Sequence, residues 1–135
     1  MRYTLKKAKI LRGKKNFDVV FERGRKAEGR YVRCLYLSHT PLSESPHPAC
    51  VVGFAVSRTV KRAVDRNTVK RFLRESYRRN QAILQLMFER LPSPLTMVFL
   101  FTKRVVHSSE LPTFNEIEID MKKLLHGIAA IRHES

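Results

Sequence analysis

Tryptophan is absent from this chain, glycine is down to five residues, and acids number 12 against 27 lysines and arginines. Without Trp the chain lacks the side chain best suited to anchoring a helix at a membrane interface. The most continuously apolar stretch, Leu95–Phe101, is far short of the roughly 20 residues a membrane span needs. A membrane partner is therefore not expected. The shortage of acids also bears on catalysis. A protein nuclease needs an activated nucleophile or a metal cage, whereas Asp18, Glu22, Asp65 and Glu75 are scattered among cations. Their expected partners are intrahelical, Glu75 with Arg71, Arg78 or Arg79. There is no paired-carboxylate, His–Cys or nucleotide-phosphate motif, so no catalytic and no metal-ligating residue is assigned. The two cysteines, Cys34 and Cys50, lie in strand-like runs and read as buried thiols of a reducing compartment in preference to a disulfide, a pairing the sequence leaves open. The N-terminus starts basic but has no apolar signal core, and a cytoplasmic location is expected.

The 135 residues suffice for one domain spanning 1–135. Hydrophobic residues make up 43%, enough for a core. The charge of +15, with a pI near 10.5, points to nucleic acid as the partner. That charge is concentrated between Arg58 and Arg79. From about Ala63 the segment reads as a helix, with no Gly or Pro until Pro92 and an apolar pattern continuing to Phe88. At ~100° per residue, Arg66, Lys70, Arg71, Arg74 and Arg78 share an arc of about 140° that includes Asn67. Val69, Phe72, Leu73 and Ser76 occupy the opposite side. Ordinary solvated helix faces mix signs. Here Arg66, Lys70, Arg74 and Arg78 follow at i,i+4 with no acid between, which costs a few tenths of a kcal/mol per pair unless a polyanion neutralises them.

Around this segment the chain reads as helix, strand, strand, helix, strand, helix. Residues 1–13 form a basic, mobile arm. Asn16 is placed to cap a first helix that ends at Gly24, with Phe17, Val20 and Phe21 on one face. Phe17 and Phe21 fit either core packing or a platform for unpaired bases. The pattern leaves room for a short extra strand near Arg25–Glu28. Tyr31–Leu37 and Cys50–Ser57 have strand composition, and Leu95–Thr102 fits a strand buried on both faces. Arg33, in mid-strand beside Leu35 and Leu37, suggests that one sheet face stays partly open. The segment Ser38–Ala49, with three prolines, is a loop to which no role is given. Its His39 and His47 are read as exposed, not as ligands. A last helix opens at Thr113 with Glu116 at the capping-box position, carries the stripe Phe114, Ile117, Met121, Leu124, Leu125 and Ile128, and frays from residue 130.

The run Ala63-Val64-Asp65-Arg66-Asn67-Thr68-Val69-Lys70-Arg71-Phe72-Leu73-Arg74-Glu75-Ser76-Tyr77-Arg78 resembles the signature of the bacterial ribonuclease P protein component: Ala-Val-x-Arg-Asn, two residues, Lys-Arg, two residues, Arg-Glu, two residues, Arg. Every specified position matches. The segments 16–24 and 52–58, Leu95–Thr102 and the final helix resemble the family in kind and order. The resemblance implies an α+β fold, a two-layer α/β sandwich of order αβββαβα, with a left-handed crossover at the signature helix, as in a domain of a small-subunit ribosomal protein. It implies a subunit that joins a catalytic RNA to remove the 5′ leader of precursor tRNA. The RNA would hold the Mg2+, and no protein partner would be required. Carried over by position, Arg58, Arg62, Arg66, Asn67, Lys70, Arg71, Arg74 and Arg78 would contact RNA. Phe17, Phe21, Arg33 and Leu35 would line the leader cleft. Thr59 stands where the family commonly has a second lysine, so a phosphate contact there is lost or moved to Lys61. Leu35 stands where an aromatic is common. Two rivals remain: a structural RNA binder of ribosomal type without a role in cleavage, and a helix that reads duplex DNA.

Overall fold

The computed structural model describes residues 14–38, 50–84 and 95–134. The first 13 residues, the loop bearing His39 and His47, and the segment between residues 85 and 94 lie outside these, as does the expected helix end at Phe88. The element order is α1 (Lys14–Arg23), β1 (Arg25–Glu28), β2 (Val32–Ser38), β3 (Cys50–Val56), α2 (Ala63–Asn80), β4 (Leu95–Phe101) and α3 (Phe114–Glu134). It reproduces the expected αβββαβα order, and the extra strand β1 is real. The strands β2, β3 and β4 differ from expectation by one residue at their ends, and the helix boundaries differ further. Asn16 lies inside α1, which already runs from Lys14. Helix α2 ends at Asn80, a turn falls at Gln81, and a helical piece covers residues 82–84. The last helix runs through Glu134, its buried stripe extending to Ile128.

One sheet of order β1-β2-β4-β3 organises the molecule. Its β1–β2 and β2–β4 pairs are antiparallel and β3–β4 is parallel, so α2 is the crossover joining the parallel pair. Strand alternation sends Cys34, Tyr36, Val52, Phe54, Met97 and Phe99 to one face, where Val69, Leu73 and Tyr77 of α2 meet Ile117, Met121, Leu125 and Ile128 of α3. Phe54, Tyr77 and Phe99 form the aromatic centre of this core, with ring centroids 5.6–6.2 Å apart. Leu35 and Val98 point the other way and pack against Val20 of α1, with Phe17 and Ala55 at the margin. The sheet and the α2–α3 pair are the two expected layers, and α1 adds a partial cover on the opposite face. Leu95–Phe99 and Phe101 are all buried, as expected of a strand covered on both sides. Cys34 is fully buried.

Two close approaches require glycine. A Cβ on Gly24 would lie 2.5 Å from the Val20 carbonyl oxygen, to which the Gly24 N–H donates at 2.8 Å to end α1. A Cβ on Gly29 would lie 2.6 Å from the Asp120 carboxylate. That carboxylate, buried on α3, accepts the backbone N–H groups of Arg30 (2.8 Å), Tyr31 (2.7 Å) and Val32 (2.8 Å). The β1–β2 turn is thereby fastened to α3. At the head of α3 the capping box forms as expected, Thr113 and Glu116 exchanging backbone-to-side-chain bonds at 3.0 and 3.2 Å. Glu116 also accepts the Tyr31 hydroxyl at 2.7 Å. The Thr113 N–H, with help from this hydroxyl, holds the Glu116 carboxyl below its ordinary range. The same bond to Glu116 raises Tyr31.

Candidate nucleic-acid interface

The approach to α2 is zipped to the chain leaving β4. Ser57 N–H donates to Phe101 O (2.8 Å), Lys61 N–H to Val105 O (2.8 Å) and Val105 N–H to Thr59 O (2.9 Å), around a parallel bridge between Val60 and Val105. The Thr59 hydroxyl donates to the carbonyls of Thr102 (3.0 Å) and Lys103 (3.3 Å). Where the resemblance would place a second cation, this chain has a stitch between two backbone segments. Arg58, Lys61 and Arg62 stand exposed around it. Arg66 is half-buried because its Nη1 donates back to Val60 O (2.8 Å) and Lys61 O (3.1 Å), tying the helix to its own approach.

From there the strip runs as the 3.6-residue period dictates. Asp65, Val69, Leu73, Ser76 and Tyr77 are buried, and Asn67, Lys70, Arg71 and Arg74 are exposed on the other side. Lys70 and Arg74 reach no acid among the described residues. Arg78, at the far end, is half-buried and paired with Glu75 at 2.8 Å, one of the intrahelical pairings expected for that acid. Arg79 turns away from the strip: its guanidinium lies 5.5 Å over the Phe114 ring and 3.4 Å from Glu118 of α3. Phe72, expected on the buried side, is half-buried edge-on to Phe114. All eight residues placed in the RNA-binding set lie on α2 or its approach. Arg62, Arg66 and Arg78 carry intramolecular bonds as well.

The four residues placed in the leader cleft share the face of the sheet that α1 partly covers, but they do not play one role. Phe21 is 39% exposed, with its ring 6.3 Å from the half-buried Phe17 ring. Arg33 points to the same face as Leu35 and forms a 2.8 Å ion pair with Glu28, its registered neighbour on β1. Leu35 is a correction. At 2% exposure, between Val20 and Val98, it supports α1 from below and offers no surface to a ligand.

Two features were not expected from the sequence. Asp65, expected to pair within its helix, is buried and instead accepts the Ser108 hydroxyl at 2.7 Å. Arg62 reaches the same hydroxyl at 3.0 Å. Both bonds join residues more than 40 positions apart, and no periodicity reports such a contact. Among the described residues no group of three or more His, Cys, Asp or Glu side chains could hold a metal ion. No helix among them is long and apolar enough to cross a membrane.

An α+β sandwich whose crossover helix buries one side and lines the other with cations is, as a class, a polyanion-binding protein. The family model described as Ribonuclease P matches residues 5–129. The ribonuclease P protein component of Chlorobium phaeobacteroides is 30% identical over 131 residues, covering 93% of this chain and 88% of that one. Its counterpart from Chlorobaculum tepidum is 28% identical over 133 residues, 95% and 84% of the two chains. The fold is shared with the RNase P protein from Thermotoga maritima, with a TM-score of 0.63 at 24% identity over 87% of this chain and 94% of that one. The chain belongs to the ribonuclease P protein family. It is a protein subunit of that ribonucleoprotein endonuclease of tRNA processing, and its partner is the ribonuclease P RNA.

Proposed function

We propose that the α2 strip grips folded ribonuclease P RNA while the face beside α1 takes the 5′ leader of precursor tRNA. The cytoplasm would be the site of action, and the RNA would hold the Mg2+ used in cleavage. The observation that carries this reading is the strip itself: Lys70 and Arg74 stand exposed, one turn apart, with no acid to answer them among the described residues, on a helix whose other side is locked in the core. Such a surface repels itself until phosphate arrives. Neutralising RNA phosphates lowers the Mg2+ needed to hold that RNA folded, which is the help a non-cutting subunit can give. On the other face the exposed Phe21 ring offers a base a flat partner, and Arg33, paired with Glu28 through Nη2, keeps part of its guanidinium for a phosphate. Stacking of this kind is worth about 1–3 kcal/mol per base. Phe17→Ala with Phe21→Ala should therefore weaken binding of leader-bearing precursor by about tenfold or more while leaving leaderless tRNA nearly unchanged, in titrations with the assembled ribonucleoprotein. Equal weakening of both would return the two rings to a packing role.

A further inference from the structure

Ser108 lies on a single 3-10 turn, Ser108–Glu110, in the connection from β4 to α3. Its hydroxyl sits between two residues of the α2 entry. It donates to Asp65 Oδ1 at 2.7 Å and accepts from Arg62 Nη1 at 3.0 Å. A hydroxyl has one proton. Asp65 takes it, so the oxygen lone pairs are left to face the guanidinium. Asp65 is itself fixed, being 3% exposed in the first turn of α2, and its Oδ2 has no hydrogen-bond partner among the described residues, so Ser108 is the carboxylate's side-chain anchor. Arg62 precedes that first turn and makes no side-chain cap bond to it, which leaves the side chain to reach across to the 3-10 turn. The order of command runs from a buried carboxylate, through a surface hydroxyl, to an exposed cation.

We propose that Ser108 is a positioning residue for RNA binding, holding the Arg62 guanidinium at the head of the cationic strip before RNA arrives. The proposal rests on the reading of Arg62 as an RNA contact. One N–H of the fork is spent on Ser108, and most of its donors remain for a phosphate. A free arginine gives up considerable rotamer freedom when it is immobilised in a complex, and one already held gives up less. The reach of the binding surface thus extends beyond α2 to a loop that carries no signature residue.

The test is a titration of the full-length protein against ribonuclease P RNA, comparing wild type with Arg62→Ala, Ser108→Ala, Ser108→Thr and the Arg62→Ala/Ser108→Ala double variant. Ser108→Ala should weaken binding by about 3- to 10-fold, the scale of ordering one long side chain. Ser108→Thr, which keeps the hydroxyl, should restore the affinity to within about 2-fold by the same reasoning. In the Arg62→Ala background, loss of Ser108 should cost nothing further. An unchanged affinity in Ser108→Ala, or full additivity in the double variant, overturns the positioning role. A silent Arg62→Ala overturns the underlying reading of Arg62 and the proposal with it. Should Ser108→Ala not fold, Ser108→Cys keeps the volume with weaker bonds, and it must then show the same loss and the same dependence on Arg62.

Discussion

At Asp120 three backbone donors converge on one buried carboxylate, which together with the Tyr31–Glu116 bond fastens the β1–β2 turn to α3. Removing it strands three N–H groups, at a cost of roughly 1–3 kcal/mol for each that water cannot reach. Asp120→Ala should lower unfolding stability by about 3 kcal/mol in urea titrations; a loss under about 0.5 kcal/mol would mean that the clamp is idle. Nearby, Glu116 titrates below its ordinary value of 4.5 because the Thr113 N–H, and then the Tyr31 hydroxyl, favour the carboxylate. A depressed carboxylate contributes stability above its unfolded value, and the contribution disappears as pH falls through the folded one. Tyr31 is raised above 10.0 through its bond to Glu116, so its contribution is full below that value and fades as pH rises through the raised one. Tyr31→Phe should move the Glu116 midpoint, followed by NMR, only part of the way back up, because the Thr113 N–H remains. A complete return would make the tyrosine the main cause.

Helix α2 buries one side and exposes cations on the other, and substitutions should separate packing from the proposed grip on RNA. Lys70→Gln with Arg74→Gln touches only the exposed side. Affinity for ribonuclease P RNA should fall, and the slope of log affinity against log salt should become shallower by almost 2, at about 0.9 per lost phosphate contact. Unfolding stability should stay level or rise by a few tenths of a kcal/mol as i,i+4 repulsion is relieved. An unchanged slope would remove these two cations from the interface. The helix shows why so much was legible beforehand. Its period separates Val69 and Leu73 from Lys70 and Arg74 without any knowledge of the fold, and Thr113 with Glu116 announces α3 by local bonds alone. What periodicity misses is contact across the fold. Leu35 reads as a cleft residue until α1 is seen resting on it, Asp65 reads as one more surface acid until Ser108 is brought to it, and Gln81 gives no sign that it ends the long helix.

For the whole molecule, the parallel β3–β4 pair and its crossover set the cationic side of α2 facing outward, while α1 leaves part of the other sheet face open beside Phe21 and Arg33. Sheet, core and helix pair together form a rigid mount for charge. With about six phosphates neutralised, log affinity for the RNA should fall with log salt at a slope of roughly −5. The claim under all of this is that the protein assists an RNA that does the cutting. It is tested most directly by 5′-leader cleavage of precursor tRNA at limiting Mg2+, with ribonuclease P RNA alone, with protein alone and with both. The account predicts little cleavage by the RNA alone, none by the protein alone, and strong cleavage when the two are combined. Cleavage by the isolated protein, or no gain on adding it to the RNA, would contradict it.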